Sequence, residues 1–256
     1  MLRDIHLSIH RGEHWVIFGP NGSGKSSLLG VLQGLLWPIR GEIRVLGRTF
    51  GESDLGELRR LIGWVGNEIE PEFPAWQTVE EIVLSGAVGT IGLRFDRPGA
   101  AERKEALRLM RRAGLLSLAG RPYAMLSQGQ RRMATIVRAL MVEPGLLILD
   151  EPAAGLDPVA REMFLASLRA LMASPRGPSI LYVTHHVEEA IPSFTHALLL
   201  GGDGRILAQG PLGQCLTESN LGRLFGHPVR LAKRGGRYYL GLRGTPRIMR
   251  TAPRAI

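Results

Sequence analysis

The chain is poor in cysteine, lysine and aromatic residues: one cysteine, Cys215, three lysines and 6% Phe, Trp and Tyr in 256 residues. A single cysteine excludes an internal disulfide framework and any cysteine-cluster metal site, and it reads as a small, partly buried apolar residue. Uninterrupted apolar runs of about 18 residues are missing, so no transmembrane helix is expected. The N-terminus carries an early acid, Asp4, and no long apolar stretch, which does not read as a secretory signal. A cytoplasmic chain is the expectation. Acidic residues are absent after Glu218, whereas nine of the 32 Lys and Arg residues follow it, leaving 23 basic against 23 acidic residues in the body. The net charge of +9 therefore belongs to a basic tail. Such a tail suits anionic lipid or nucleic acid, or is simply a solvated, arginine-rich terminus.

What is present is the composition of a globular protein, 45% hydrophobic and 21% charged, long enough to bury a sizeable core. Ile5, Leu7 and Ile9 alternate with His6, Ser8 and His10, a period of two that predicts a strand with one wet face. On such a strand His6, His10 and His14 do not converge on a metal, despite their four-residue spacing. The apolar run Trp15 to Phe18 predicts a buried strand, and Ser26 to Leu36 a helix. A strand pair is expected around 41–46, with Gly47 and Arg48 at a turn, and another strand at 62–65. Thr78 and Glu81 form a capping box that opens a helix, and 100–113 is amphipathic. Apolar runs at 146–149, 180–184 and 197–200, separated by a helix at 161–172, predict a mostly parallel sheet covered on both faces. A hairpin is expected at 229–242 around Gly235-Gly236.

Five short motifs lie on this scaffold. Gly19-Pro20-Asn21-Gly22-Ser23-Gly24-Lys25-Ser26, continued by Ser27, stands between a strand and a helix. Its glycines let backbone N–H groups turn inward around phosphate oxygens, Lys25 supplies a point charge, and the Ser26 hydroxyl suits Mg²⁺. Leu146 to Leu149 runs into Asp150 and Glu151; the first carboxylate can reach a metal shell and strand geometry aims the second elsewhere. Leu126-Ser127-Gln128-Gly129-Gln130 places Ser127 as a helix cap, where free N–H groups make an anion site. Ala154-Gly155-Leu156-Asp157 and Thr184-His185 complete the series.

Together these motifs resemble an ATP-binding cassette (ABC) ATPase over nearly the whole chain. The resemblance implies a P-loop NTPase core (RecA-like) of α/β class, with a mostly parallel sheet, antiparallel strands at the N-terminal side and an inserted α-helical subdomain. The division expected is a core of residues 1–74 and 143–210, a helical subdomain of 75–142 carrying the signature loop, and a basic appendage of 211–256. It also implies roles: Glu151 as general base, His185 as the switch histidine on the γ-phosphate, and Lys25 on the β- and γ-phosphates. Ser127, Gly129 and Gln130 would cap the γ-phosphate of ATP held by a second, head-to-tail copy, with Asp157 at that interface. Mg²⁺ falls to Ser26 and Asp150.

The chain departs from the family pattern at three places. A glutamine that in the family touches Mg²⁺ and transmits motion to the helical insert is replaced by Gly66-Asn67-Glu68, so Asn67 inherits the amide chemistry with one methylene less. His186 stands where the family more often has an acid. The family's adenine-stacking aromatic precedes the first strand, where only Met1 to Asp4 lie here; either the true start is upstream or the base is gripped otherwise, and weak base discrimination is the expectation. The function implied is Mg²⁺-dependent hydrolysis of ATP, powering transport through separate integral-membrane subunits from the inner face of the cell membrane. The segment 182–210 is similar to cassettes for molybdate or metal complexes. A soluble ABC ATPase acting on nucleic acid or ribosomes is the alternative, for which the basic tail speaks.

Overall fold

The computed structural model describes residues 2–66, 73–93, 97–175 and 177–243. The elements follow the chain as β1 (His14–Phe18), α1 (Lys25–Leu32), β2 (Arg44–Val45), β3 (Arg48–Thr49), α2 (Leu55–Arg60) and β4 (Ile62–Gly66). Helices α3 (Val79–Val88), α4 (Ala100–Arg112) and α5 (Gln128–Leu140) come next, then β5 (Leu146–Asp150), α6 (Pro158–Met172) and β6 (Ser179–Val183). The chain closes with β7 (His196–Leu200), β8 (Ile206–Pro211), α7 (Leu212–Cys215), α8 (Glu218–Phe225), β9 (Val229–Arg234) and β10 (Arg237–Leu242).

One six-stranded sheet, ordered β4-β5-β6-β1-β7-β8, organises the fold. Its first five strands are parallel and β8 runs antiparallel to β7. Because successive side chains in a strand point to opposite faces, each apolar strand feeds two cores. Val16, Phe18, Leu147, Leu149, Ile180, Tyr182, Ala197 and Leu199 enter one cluster. Their neighbours Trp15, Ile17, Leu146, Ile148, Leu181, Val183 and Leu198 enter the other. Burial on both faces is why these strands read as continuous apolar runs.

Helices α3, α4 and α5 pack on one another. Thr78 and Glu81 make the capping box of α3, the Thr78 hydroxyl accepting from Glu81 N at 3.2 Å and the Glu81 carboxylate accepting from Thr78 N at 2.8 Å. Gly86 faces α5 so closely that a Cβ there would collide with the Arg138 carbonyl oxygen. Two-residue strands β2 and β3 pair antiparallel through Leu46 and Gly47, both at positive φ (50° and 79°), the backbone a tight hairpin demands.

Four sequence expectations shift. Arg48, expected in a turn with Gly47, lies in β3 instead, because the positive-φ turn falls at Leu46 and Gly47 and lets Arg48 pair with Val45. Residues 5–9 keep their alternation, with Ile5, Leu7 and Ile9 half-buried and His6, Ser8 and His10 exposed, but they join no strand ladder. The apolar members pack onto the second core while the segment's backbone meets a side chain instead, His6 O accepting from Gln209 Nε2 at 2.8 Å. Helix α1 ends at Leu32 rather than Leu36, because Gly34 at φ 68° turns the chain and the amides of Leu35 and Leu36 fold back onto Gly30 O. Helix α6 begins at Pro158, three residues before the expected Arg161, because Asp157 caps it. The hairpin β9–β10 forms as expected around Gly235 and Gly236. It is no loose tail: Val229 and Tyr238 of the hairpin, with Leu212, Leu221 and Leu224 of α7 and α8 before it, belong to the first core.

Candidate functional site

The phosphate loop joins β1 to α1, so the free N–H groups of the helix start lie at the C-terminal end of the central strand. Gly22 and Gly24 have φ of 80° and 100°, the left-handed backbone that turns successive amides inward. Gly19 answers a different need. A Cβ there would lie 2.5 Å from Ser23 Oγ and 2.7 Å from Leu200 O. Lys25 is buried and its Nζ donates to Gly19 O at 2.8 Å and Pro20 O at 3.1 Å, which arches the ammonium over the loop. Burial lowers the affinity of that ammonium for its proton, and the negative charges of Glu151 and Asp150 oppose the shift. Those three side chains are therefore electrostatic neighbours. The Ser23 hydroxyl, 1% exposed, has a buried oxygen without a hydrogen-bond partner. Pro20 and Ser27 are half-buried, while Asn21 and Ser26 are exposed on the loop rim.

Asp150 ends β5 and Glu151 leaves it. Glu151 sits at φ 48°, an uncommon conformation for a residue with a long side chain, and its N–H donates to Val183 O at 2.9 Å. This kink sends consecutive carboxylates in different directions. His185 follows β6, and its Nδ1 lies 3.1 Å from Glu151 Oε1, both side chains partly open to solvent. The loop carrying His185 is anchored from beneath. Glu189, 2% exposed, accepts hydrogen bonds from Thr184 Oγ1 at 2.7 Å and Tyr182 OH at 2.9 Å, and Thr184 Oγ1 accepts from His186 N at 3.0 Å. Burial and the Glu189 carboxylate together push the Tyr182 phenol well above its usual range. Glu189 is the residue that sequence reading passed over. Its only signal was an acid four residues past a histidine.

Ser127 caps α5. Its Oγ accepts from Gln130 N at 3.3 Å and Gln130 Oε1 accepts from Ser127 N at 3.0 Å, a full capping box. Ser127 is exposed, so the cap presents a helix N-terminus outward. A Cβ on Gly129 would meet nothing nearer than Leu156 at 3.7 Å, so this chain's own packing does not require glycine there. Asp157 caps α6, its Oδ1 accepting from Val159 N and Ala160 N, each at 2.9 Å. Met125, Val159 and Met163, beside these two caps, are exposed. Asn67 lies outside the described residues.

Lys25, Asp150, Glu151 and His185 come together within the chain; Ser127, Gly129, Gln130 and Asp157 lie on two exposed helix starts instead. The residues fit a Mg²⁺-nucleotide: a hydroxyl at Ser26, a carboxylate at Asp150 and an unpartnered hydroxyl at Ser23 surround the inward-turned loop. Among the described residues no group of three or more His, Cys, Asp or Glu is placed to hold a metal ion. Mg²⁺ commonly takes one or two protein oxygens and the rest from phosphates and water.

A phosphate loop between a central parallel strand and its helix, with an acidic pair ending a neighbouring strand, defines a P-loop nucleoside-triphosphatase. The ABC transporter family model matches residues 2–154, and the chain belongs to that family as an ATP-binding protein. It is 42% identical over 232 residues, 90% of this chain and 87% of the relative, to the uncharacterized ABC transporter ATP-binding protein YlmA of Bacillus subtilis. Over 228 residues, 88% of this chain and 81% of the other, it is 32% identical to the zinc transport system ATP-binding protein TroB of Treponema pallidum. Among solved structures, cbiO1 from Clostridium perfringens, part of the ABC transporter complex cbiONQ, superposes with a TM-score of 0.74 at 30% identity, covering 86% of this chain and 85% of that one. A bacterial ABC transporter cassette solved as a dimer gives 0.66 at 29% identity, covering 82% and 90%.

Proposed function

We propose that two copies of this chain close head to tail around two ATP molecules and hydrolyse them to drive a solute through separate integral-membrane subunits. The observation that carries the reading is the division of the motif residues. Lys25, Asp150, Glu151 and His185 gather in one part of the chain, whereas Ser127 caps a separate, exposed helix start suited to an anion, with Gly129 in its first turn. A second copy joins the two halves at a two-fold interface. The exposed apolar side chains Met125, Val159 and Met163 beside the caps suit burial there.

In this reading the loop amides of 19–27 and the Lys25 ammonium hold the phosphates. Ser26 and Asp150 would hold Mg²⁺, with Asn67 a candidate from its place in the sequence, and the ion would supply charge neutralisation on the phosphates. Glu151 accepts a hydrogen bond from the attacking water and orients it, while His185 bridges Glu151 and the γ-phosphate. Gln130 keeps the signature turn rigid through its capping bond, and Asp157 sets the start of α6 at the interface. The reaction is ATP plus water to ADP and phosphate, driven by positioning, charge stabilisation and the Glu151 base rather than through a covalent intermediate. Residues 75–142 serve as the helical subdomain against which the membrane subunits dock, and the chain works at the inner face of the membrane. The cargo class is a metal complex or an oxyanion such as molybdate, a reading supported by the 182–210 segment and by the likeness to a zinc transport ATPase.

Affinity purification from solubilised membranes tests the transport role. A stable, salt-resistant integral-membrane partner is the expected result. Retention on nucleic acid that disappears as salt rises, with no membrane partner, would instead favour the soluble alternative.

A further inference from the structure

The C-terminal hairpin packs against the turn that follows His185, and one of its side chains grips that turn directly. Arg237, at the start of β10, has a side chain 17% exposed and joins two segments that each end in a motif. Its guanidinium donates to the Glu188 carbonyl oxygen from two nitrogens, Nε at 2.9 Å and a closer Nη2. The same group forms a fork with Glu162 on α6, at 2.7 Å to Oε2 and 3.1 Å to Oε1. Glu188 lies three residues past His185, in a short 3-10 turn, Val187–Glu189. Glu162 lies five residues past Asp157. The hairpin's turn is fitted just as closely, since a Cβ on Gly236 would sit 2.9 Å from Pro192 Cγ.

We propose that this hairpin is a strap that sets the His185 loop against α6, and that Arg237 is a positioning residue for ATP hydrolysis. The inference rests on the role of His185 given above. Planarity is what the position uses: a guanidinium presents donors on two edges, so it can grip a carbonyl and a carboxylate at once, whereas an ammonium has no such fork. From Glu188 the connection to the site is short and polar. The adjacent Glu189 carboxylate holds Thr184, the Thr184 hydroxyl holds the His186 amide, and His185 between them meets Glu151. Releasing Arg237 frees the turn that carries this network without touching the phosphate loop. Hydrolysis suffers and nucleotide binding does not, because a displacement of about 1 Å in a reacting group costs up to about a hundredfold in rate.

Steady-state ATPase assays on the full chain decide the matter. Arg237→Ala is expected to lower kcat about tenfold with KM for ATP within about twofold, and Arg237→Lys to fall between it and the parent. Glu162→Ala is expected to lower kcat less, and the double variant to be no slower than Arg237→Ala alone, as for partners in one contact. An unchanged kcat in folded Arg237→Ala, or a loss matched by an equal loss of ATP affinity, overturns the strap. Should Arg237→Ala fail to fold, the half-exposed Glu162 decides, and full turnover of Glu162→Ala overturns it. His185→Ala is the control in the same assay. Full turnover there removes the reading on which the strap depends, whereas an inactive His185→Ala beside a fully active Arg237→Ala removes the strap alone.

Discussion

Glu151 concentrates the residue-scale argument. Its φ of 48° and its amide bond to Val183 O hold it at the point where β5 ends, and its carboxylate meets Nδ1 of His185 at 3.1 Å. Replacing the carboxylate by an amide keeps size and backbone but removes the negative charge that orients water. Glu151→Gln should therefore bind ATP normally while turnover drops about 10²- to 10⁴-fold, the usual worth of a positioned general base. Parallel measurement of nucleotide affinity and phosphate release checks this, and an undiminished rate would take Glu151 out of the base role. At this scale the places of Lys25, opening α1, and Asp150, ending β5, were legible because neighbours along the chain set them. Glu189 was not. A buried acid between two hydroxyls is recognisable only once Tyr182 and Thr184 are brought to it.

Among elements, caps and close approaches carry the information. The capping boxes at Thr78 and Ser127 were both readable, because serine or threonine followed by glutamate or glutamine three residues later is a local pattern. The early start of α6 was missed since Pro158 at its first turn looks like a break until Asp157 is seen capping it. The crossing of α3 and α5 is set by Gly86, where a side chain would strike the Arg138 carbonyl. Backbone, unlike a flexible side-chain tip, cannot step aside. Gly86→Ala is thus expected to destabilise the protein by about 1–3 kcal/mol despite the better helix propensity of alanine. Chemical denaturation reads this directly, and a midpoint at or above the parent's would contradict the tight crossing.

The whole-molecule claim is that each ATP site takes parts from two chains. Gly129 offers a clean probe, since a Cβ added there meets no neighbouring side chain closer than Leu156 at 3.7 Å. Gly129→Arg should leave a folded, nucleotide-binding protein with turnover lost, and Lys25→Ala should also be inactive. Mixed together, the two variants should recover part of the activity, because one of the two sites in a mixed dimer keeps both an intact Lys25 and an intact Gly129. Turnover retained by Gly129→Arg alone, or no recovery on mixing, would count against a shared site. The charge distribution also belongs to this scale. Nine basic residues after Glu218 read as a free tail, yet the described part spends some of them internally, Arg237 on Glu162 and Arg243 on Glu218 at 2.9 Å.

Sequence alone determined the family chemistry, the α/β class and most strands and helices, because phosphate loops, capping boxes and apolar runs are short-range patterns whose physics is local. Tertiary structure decided which of those pieces meet. It brought His185 onto Glu151, left Ser127 and Gly129 facing outward, denied residues 5–9 a strand partner, and turned a basic C-terminal hairpin into a contact on the catalytic loop. Each of these depends on groups far apart along the chain, and only packing of the sheet's two faces fixes their distance.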